Sequence, residues 1–273
     1  MQANGGPRED GLVQSTKTET LIVEVSDNGV VTVTMNRPEK KNAANSVMWN
    51  ELRDTWNEIS IDPDVRAVVM TGAGDAFCSG ADLGGQRQEM HQLQAMNMIH
   101  KTIQALYSIM VPVVAKVNGV AAGAGMNMAL ACDLIVASDQ ARFSEIFARR
   151  GLSMDFGGTW ILPRMIGLHK AKELAFFGDV ISAEQAAEFG IVNKLVPHAE
   201  LDETVDDWTD RLASGPPLAL AMTKRLLTMN ATADFSAALE AEGYAQTVNF
   251  ATSDTKEAVS AFLDKREPHF RGR

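Results

Sequence analysis

Short β-branched runs alternate with helical stretches from Leu21 to Val196, and then the strands stop. Leu21-Ile-Val-Glu-Val25 and Val30-Val-Thr-Val-Thr-Met35 show partial period-two alternation. Asp27-Asn28-Gly29 between them is a hairpin signal, because Asn and Gly tolerate the positive φ that tight turns demand. Ser46 is placed to cap a helix whose apolar stripe is Val47, Leu52, Trp56 and Ile59. Further strands are expected at 65–71, 113–117, 134–137 and 192–196, with helices at 86–109, 126–131, 159–166, 169–177 and 183–189. Residues 72–85 and 119–125, rich in Gly and small residues, read as a loop and a turn. Parallel strands need connections long enough to cross back, so this alternation specifies an α/β fold built from crossover units.

Three regions follow. Residues 1–18 read as a disordered polar tail, 19–200 as the α/β core, and 201–273 as a helical oligomerisation region. The last is expected to hold three amphipathic helices, broken at Gly215-Pro216-Pro217 and Thr252-Ser253-Asp254. With 25 Lys and Arg against 35 Asp and Glu, the net charge of −10 argues against a nucleic-acid partner, whose phosphates are bound mainly by excess basic residues. Cys78 and Cys132 lie 54 positions apart outside any CxxC, the usage of reduced thiols. The tail holds no apolar stretch like that of a secretory signal, and no run approaches membrane-spanning length. A soluble cytoplasmic protein is expected.

Familiar motifs fail on inspection. In Gly72-Ala-Gly74-Asp-Ala-Phe77 and Gly123-Ala-Gly125-Met-Asn-Met128, the third glycine of a dinucleotide fingerprint is replaced by a bulky residue. No Walker loop or nucleophile elbow is present. His91, His100, His169, His198 and His269 have no metal-ligand spacing, so no metal is expected.

Two small-residue loops remain, each arriving from an apolar run: Ala76-Phe-Cys-Ser-Gly-Ala-Asp-Leu83 and Asn118-Gly-Val-Ala-Ala-Gly-Ala-Gly-Met126. The second opens a helix, whose first N–H groups have no partner within it. Small side chains let a substrate carbonyl approach such donors closely, and two of them aimed at one point would stabilise an oxyanion. Tight helix–sheet packing would ask for the same residues.

Taken together, several segments resemble the enoyl-CoA hydratase/isomerase, or crotonase, superfamily from about Leu21 to Phe270. They are Asn36-Arg-Pro38 with Asn42-Ala43, Ala76-Phe-Cys-Ser-Gly-Ala-Asp82, Val117-Asn-Gly-Val-Ala-Ala-Gly-Ala-Gly125, Cys132-Asp133, Gly157-Gly-Thr159 and Ala261-Phe-Leu-Asp-Lys-Arg266. The resemblance implies a ββα spiral core, a C-terminal helical trimerisation region, and a homotrimer or dimer of trimers. It implies an acyl-CoA thioester as substrate, with coenzyme A as part of that substrate and no separate cofactor. The oxyanion-hole N–H groups map onto Ala81 and Ala124, beside Gly123, and the adenine-facing segment onto Ala81-Asp82-Leu83. Lys41 falls in the loop that flanks the CoA. Phe262 and Lys265 match positions that reach the CoA of a neighbouring subunit, although a solvated Lys265 is equally compatible.

The departures from the family pattern matter more. The two glutamates with which hydratases activate water and deliver a proton fall on Asn127 and Phe147, neither of which transfers protons. Glu145, two positions earlier, would face the same side in a strand-like loop and so offers a substitute, but pairing with Arg149-Arg150 on the surface is the leading reading. Asp155, before Gly157-Gly-Thr-Trp160, resembles the sole acid/base of phenylacetate-pathway epoxyacyl-CoA isomerases. It also matches the nucleophilic aspartate of 4-chlorobenzoyl-CoA dehalogenase, and it could equally cap the following helix. Burial near Phe147, Met154 and Phe156 should raise its pKa. Those residues, with 86–98, are the candidates for lining an apolar acyl pocket. Isomerisation of a double bond or epoxide with Asp155 as base is thus the leading expectation. Hydration, dehalogenation or thioester hydrolysis, and non-catalytic binding are the alternatives.

Overall fold

The structure is a computed structural model that describes residues 11–84 and 91–273. Strands β1 (Thr16–Lys17), β2 (Leu21–Val25) and β3 (Val30–Met35) lead into helix α1 (Ser46–Ile61). Then come β4 (Ala67–Gly72), β5 (Ala76–Cys78) and α2 (Gln92–Tyr107), followed by β6 (Val113–Val117), β7 (Val120–Ala122) and α3 (Ala124–Leu130). Next are β8 (Leu134–Ser138), β9 (Arg142–Ser144), α4 (Gly158–Ile166) and α5 (Leu168–Phe177). The core closes with β10 (Ile181–Ser182), α6 (Ala183–Glu188) and β11 (Lys194–Val196). Four helices end the chain: α7 (Leu201–Ser214), α8 (Pro217–Asn230), α9 (Phe235–Ala251) and α10 (Ser253–Asp264).

Two sheets interleave, one ordered β1-β2-β3-β4-β6-β8-β11 and the other β10-β9-β7-β5. Each turn of chain lays a strand in the large sheet and then one in the small sheet. In the first two turns a helix, α2 or α3, then brings the chain back: this is the expected ββα spiral. The hairpin at Asp27–Gly29 is present, with Gly29 at φ +84 and β2 antiparallel to β3. From β3 to β11 the large sheet is parallel. Strand β4 is buried at every position because both faces are covered, which is why it reads as a continuous apolar run. Trp56, Phe77, Phe143 and Phe156 belong to the core on one side. Val69, Val114 and Val136 meet Leu201 and Val205 of α7 in a second, smaller core.

Several expectations are corrected. Part of the 1–18 tail is built into the fold: Thr16–Lys17 pair with β2, and the Val13 N–H donates to Asp62 Oδ2 at 2.8 Å. Asn45, not Ser46, caps α1, accepting from the Met48 N–H at 2.9 Å. Strands β5, β7 and β9 lie where loop or turn was expected or no strand was assigned; three residues are too few to show a period. The helix expected over 86–109 is described as Gln92–Tyr107, and residues 86–90 of that expectation lie outside the described residues. The C-terminal region holds four helices, because Asp234 caps α9 without any Gly or Pro to mark the break. Helices α8 and α9 have no buried residue, and Phe235, Tyr244, Phe250 and Phe262 stand exposed.

Candidate active site

The first loop leaves β5 at Cys78 and is held from one side. The Ala44 N–H donates to Gly80 O at 2.8 Å and the Asp82 N–H donates to Ala44 O at 2.9 Å. In such a parallel bridge the residue between, Ala81, turns its own N–H away from the pairing. Lys41, exposed and at φ +50, accepts the Ser79 N–H at 3.0 Å through its carbonyl, so its backbone shapes the same loop.

The second loop follows β7. Gly123, at φ +54, turns the chain into α3, and its N–H donates to Ser144 O at 2.8 Å. Ala124 heads the helix, so its N–H has no intrahelical acceptor. A Cβ on Gly80 would sit 2.9 Å from Ala122 O and 3.7 Å from Ala124 N, and one on Gly125 would sit 2.1 Å from Cys78 O. Backbone packs directly on backbone here, and the glycines permit it.

These loops open on a cavity of about 490 Å³ lined by Ala81, Leu83, Gly123 and Ala124, with Phe143, Ile146, Phe147, Leu152 and Val180 as apolar walls. That size and lining suit a small-molecule ligand. Arg142 and Arg150 add positive charge, and among the described residues Asp155 is the one carboxyl in the lining. A larger cavity of about 710 Å³ lies elsewhere, against Tyr107 and Trp160, and among the described residues its wall has neither loop nor any carboxyl.

Asp155 does not cap α4: the cap is Gly157, which makes no side-chain bond. Instead its main-chain carbonyl accepts from Gly158 N–H at 3.0 Å and from Asn127 Nδ2 at 2.9 Å, fixing the backbone of a residue that lines the cavity. Oδ1 is buried and has no hydrogen-bond partner. Burial pushes the carboxyl from 3.8 up to about 6, against the opposing pull of His100. Asn127 is fully buried, and a Cβ on Gly158 would lie 2.3 Å from its Oδ1. Gly158→Ala is therefore expected to displace the Asn127 amide and lower kcat at least about tenfold, since a small misplacement of a reacting group carries such a penalty. Steady-state kinetics on the folded variant check this.

Glu145 overturns its sequence reading. It is 1% exposed, and Asn127 Nδ2 points at its Oε2 from 3.5 Å. Arg149 is engaged elsewhere, with Asp179 and Phe177 O. Burial raises the Glu145 carboxyl to about 8, with the Asn127 bond opposing and the Asp155 charge adding. The sign of burial was the lone acid in the apolar stretch 143–147.

Of the other expected residues, Phe147 lines the cavity, and Leu83, 69% exposed, stands at its mouth. Met154, expected beside the acyl group, packs against the main core and is not among the cavity-lining residues, whereas its neighbour Asp155 is. Asp82 pairs with Arg37 at 2.9 Å, which holds its carboxyl below the ordinary range. Phe262 and Lys265 stand exposed at the end of α10, outside the cavity lining. Cys78, buried and pushed up to about 11, is no nucleophile.

The family model for enoyl-CoA hydratase/isomerase matches residues 25–273. The chain belongs to the enoyl-CoA hydratase/isomerase family. Similar members include the "Probable enoyl-CoA hydratase" of Rhodobacter capsulatus, 40% identical over 93% of this chain and 98% of that one. The 1,2-epoxyphenylacetyl-CoA isomerase of Escherichia coli is 35% identical over 93% and 99% of the respective chains. The crystal structure of enoyl-CoA hydratase from Bacillus anthracis superposes with a TM-score of 0.89 at 32% identity, covering 93% of this chain and all of that one. The α/β spiral described above is accordingly the crotonase fold of the enoyl-CoA hydratase/isomerase family.

Proposed function

We propose that this enzyme isomerises acyl-CoA thioesters, moving a double bond or opening an epoxide, with Asp155 as the single acid/base. The carrying observation is that, among the described residues, Asp155 is the one carboxyl in a cavity that also presents Ala81 and Ala124. With a 3-enoyl thioester, the Asp155 carboxylate takes a proton from the α-carbon. The C–H electron pair forms the enolate, whose oxygen charge rests on the Ala81 and Ala124 N–H groups. The enolate then collapses, the double bond settles between the α- and β-carbons, and Asp155 returns the proton at the γ-carbon. No electron leaves the substrate, so no cofactor is needed. Lys41, Asp82 and Leu83 flank the CoA in this reading. The exposed apolar faces of α8–α10 support assembly into a trimer, in which Phe262 and Lys265 would meet a neighbour's CoA.

Because Asp155 must be ionised to accept the proton, kcat/KM is expected to rise with pH through about 6. A pH series on the isomerisation reads this directly. The family-level experiment incubates the enzyme with 3-enoyl-CoA and with 2-enoyl-CoA and weighs the products. Interconversion at constant mass supports the proposal, and gain of one water on 2-enoyl-CoA contradicts it. Hydration is the second reading, favoured by Glu145, a second carboxyl held near Asp155 and able to carry a proton.

A further inference from the structure

Asn127 donates to Glu145 Oε2 and to Asp155 O, and each of the three residues carries a buried oxygen with no hydrogen-bond partner: Asn127 Oδ1, Glu145 Oε1 and Asp155 Oδ1. All three accept and none donates, so as carboxylates and amide the set has acceptors and no donor to meet them. A proton on Glu145 supplies one. We propose that Glu145 is a positioning residue held as a neutral carboxylic acid, which leaves Asp155 the carboxylate that takes the α-proton and switches the reaction off when it ionises. The inference rests on Asp155 being the base.

The surroundings of Glu145 favour this state. Burial and the Asp155 charge both disfavour its carboxylate. From its own turn, Arg149 is committed to Asp179, and Arg150 is exposed at the cavity. From α3 comes only the uncharged Asn127, from the loop before α4 comes Asp155, and His100 of α2 acts on Asp155. No cation is therefore placed to hold Glu145 ionised among the described residues. Once charged, Glu145 competes with Asp155 O for the Asn127 amide through a stronger, charge-assisted bond, loosening the loop that aims Asp155. It also sets a second negative charge against the enolate.

The test is the pH profile of wild type and Glu145→Gln, which keeps the shape and cannot ionise. Wild-type kcat/KM should fall about tenfold between pH 7 and pH 9 as a group near 8 ionises. Glu145→Gln should stay within about threefold of wild type at pH 7 and hold its plateau to pH 9. An alkaline fall that persists in the variant, its absence from wild type, or loss of activity at pH 7 would overturn the proposal. Difference infrared spectra supply a readout free of turnover. Wild type at pH 7 should show the carbonyl stretch of a protonated acid that Glu145→Gln lacks, and in Asp155→Asn its titration midpoint should drop. No such band at pH 7 defeats the Glu145 assignment alone. Full turnover in Asp155→Asn defeats the base assignment alone, leaving the band to stand.

Discussion

Asp155→Asn is expected to lower kcat about 10³-fold, the scale of losing a positioned general base, while KM for the thioester changes little. Asparagine keeps the size of the side chain and leaves the main-chain carbonyl, which Asn127 and Gly158 hold, untouched. What disappears is the proton acceptor. Stability should move the other way. Burial raises the carboxyl from 3.8 to about 6 in the folded chain, so the folded state holds its proton more tightly than the unfolded state does. Stability contributed by the protonated form is present below the unfolded value and lost as pH climbs from about 4 to about 6. Asparagine has no such loss, so the variant should melt above wild type at pH 7 and approach it near pH 4. Loss of turnover with a gain in Tm separates a missing base from a damaged fold, and melting curves beside kinetics read both.

Gly125→Ala should give the second large effect, and in it activity and stability fall together. The added Cβ meets Cys78 O at 2.1 Å and Cys78 C at 2.7 Å, backbone atoms with no rotamer to escape into. Strand β5 must move away from α3, at a cost of about 1–3 kcal/mol or more for forced overpacking. The movement also separates Ala81 from Ala124, the two proposed oxyanion donors, because β5 carries the first loop and α3 begins at Ala124. Misplacing one oxyanion donor costs about 10²–10³ in kcat. Chemical denaturation gives the stability change, and turnover of the remaining folded enzyme gives the catalytic one.

The same backbone contact explains which parts of the fold were legible. Strands β4, β6 and β8 announce themselves as apolar β-branched runs because sheet neighbours and two covered faces demand them. Strands β5, β7 and β9 are three residues long, too short to show a period; in β7 the alanines further hide strand character, and at β5 it is Gly125 of α3 that allows the close approach. At the site, Ala81, Ala124 and Asp155 were found through the motif resemblance. Periodicity alone leaves packing and catalysis undecided for small residues. Glu145 was misread because two arginines follow closely in sequence. Arg149 turns to Asp179, and Glu145 turns inward to Asn127. A sequence shows which charges are neighbours along the chain and leaves open which of them share a side. Met154 and Asp155 differ in the same way: adjacent residues, one against the core and one against the cavity.

The most direct test of the central claim follows proton removal itself. Wild type and Asp155→Asn are each mixed with a 3-enoyl-CoA in deuterated buffer, and loss of the α-proton is followed by NMR. The account predicts rapid loss with wild type and about 10³-fold slower loss with the variant, with binding of the thioester retained. Loss at the wild-type rate in Asp155→Asn would contradict it and assign the proton to another group.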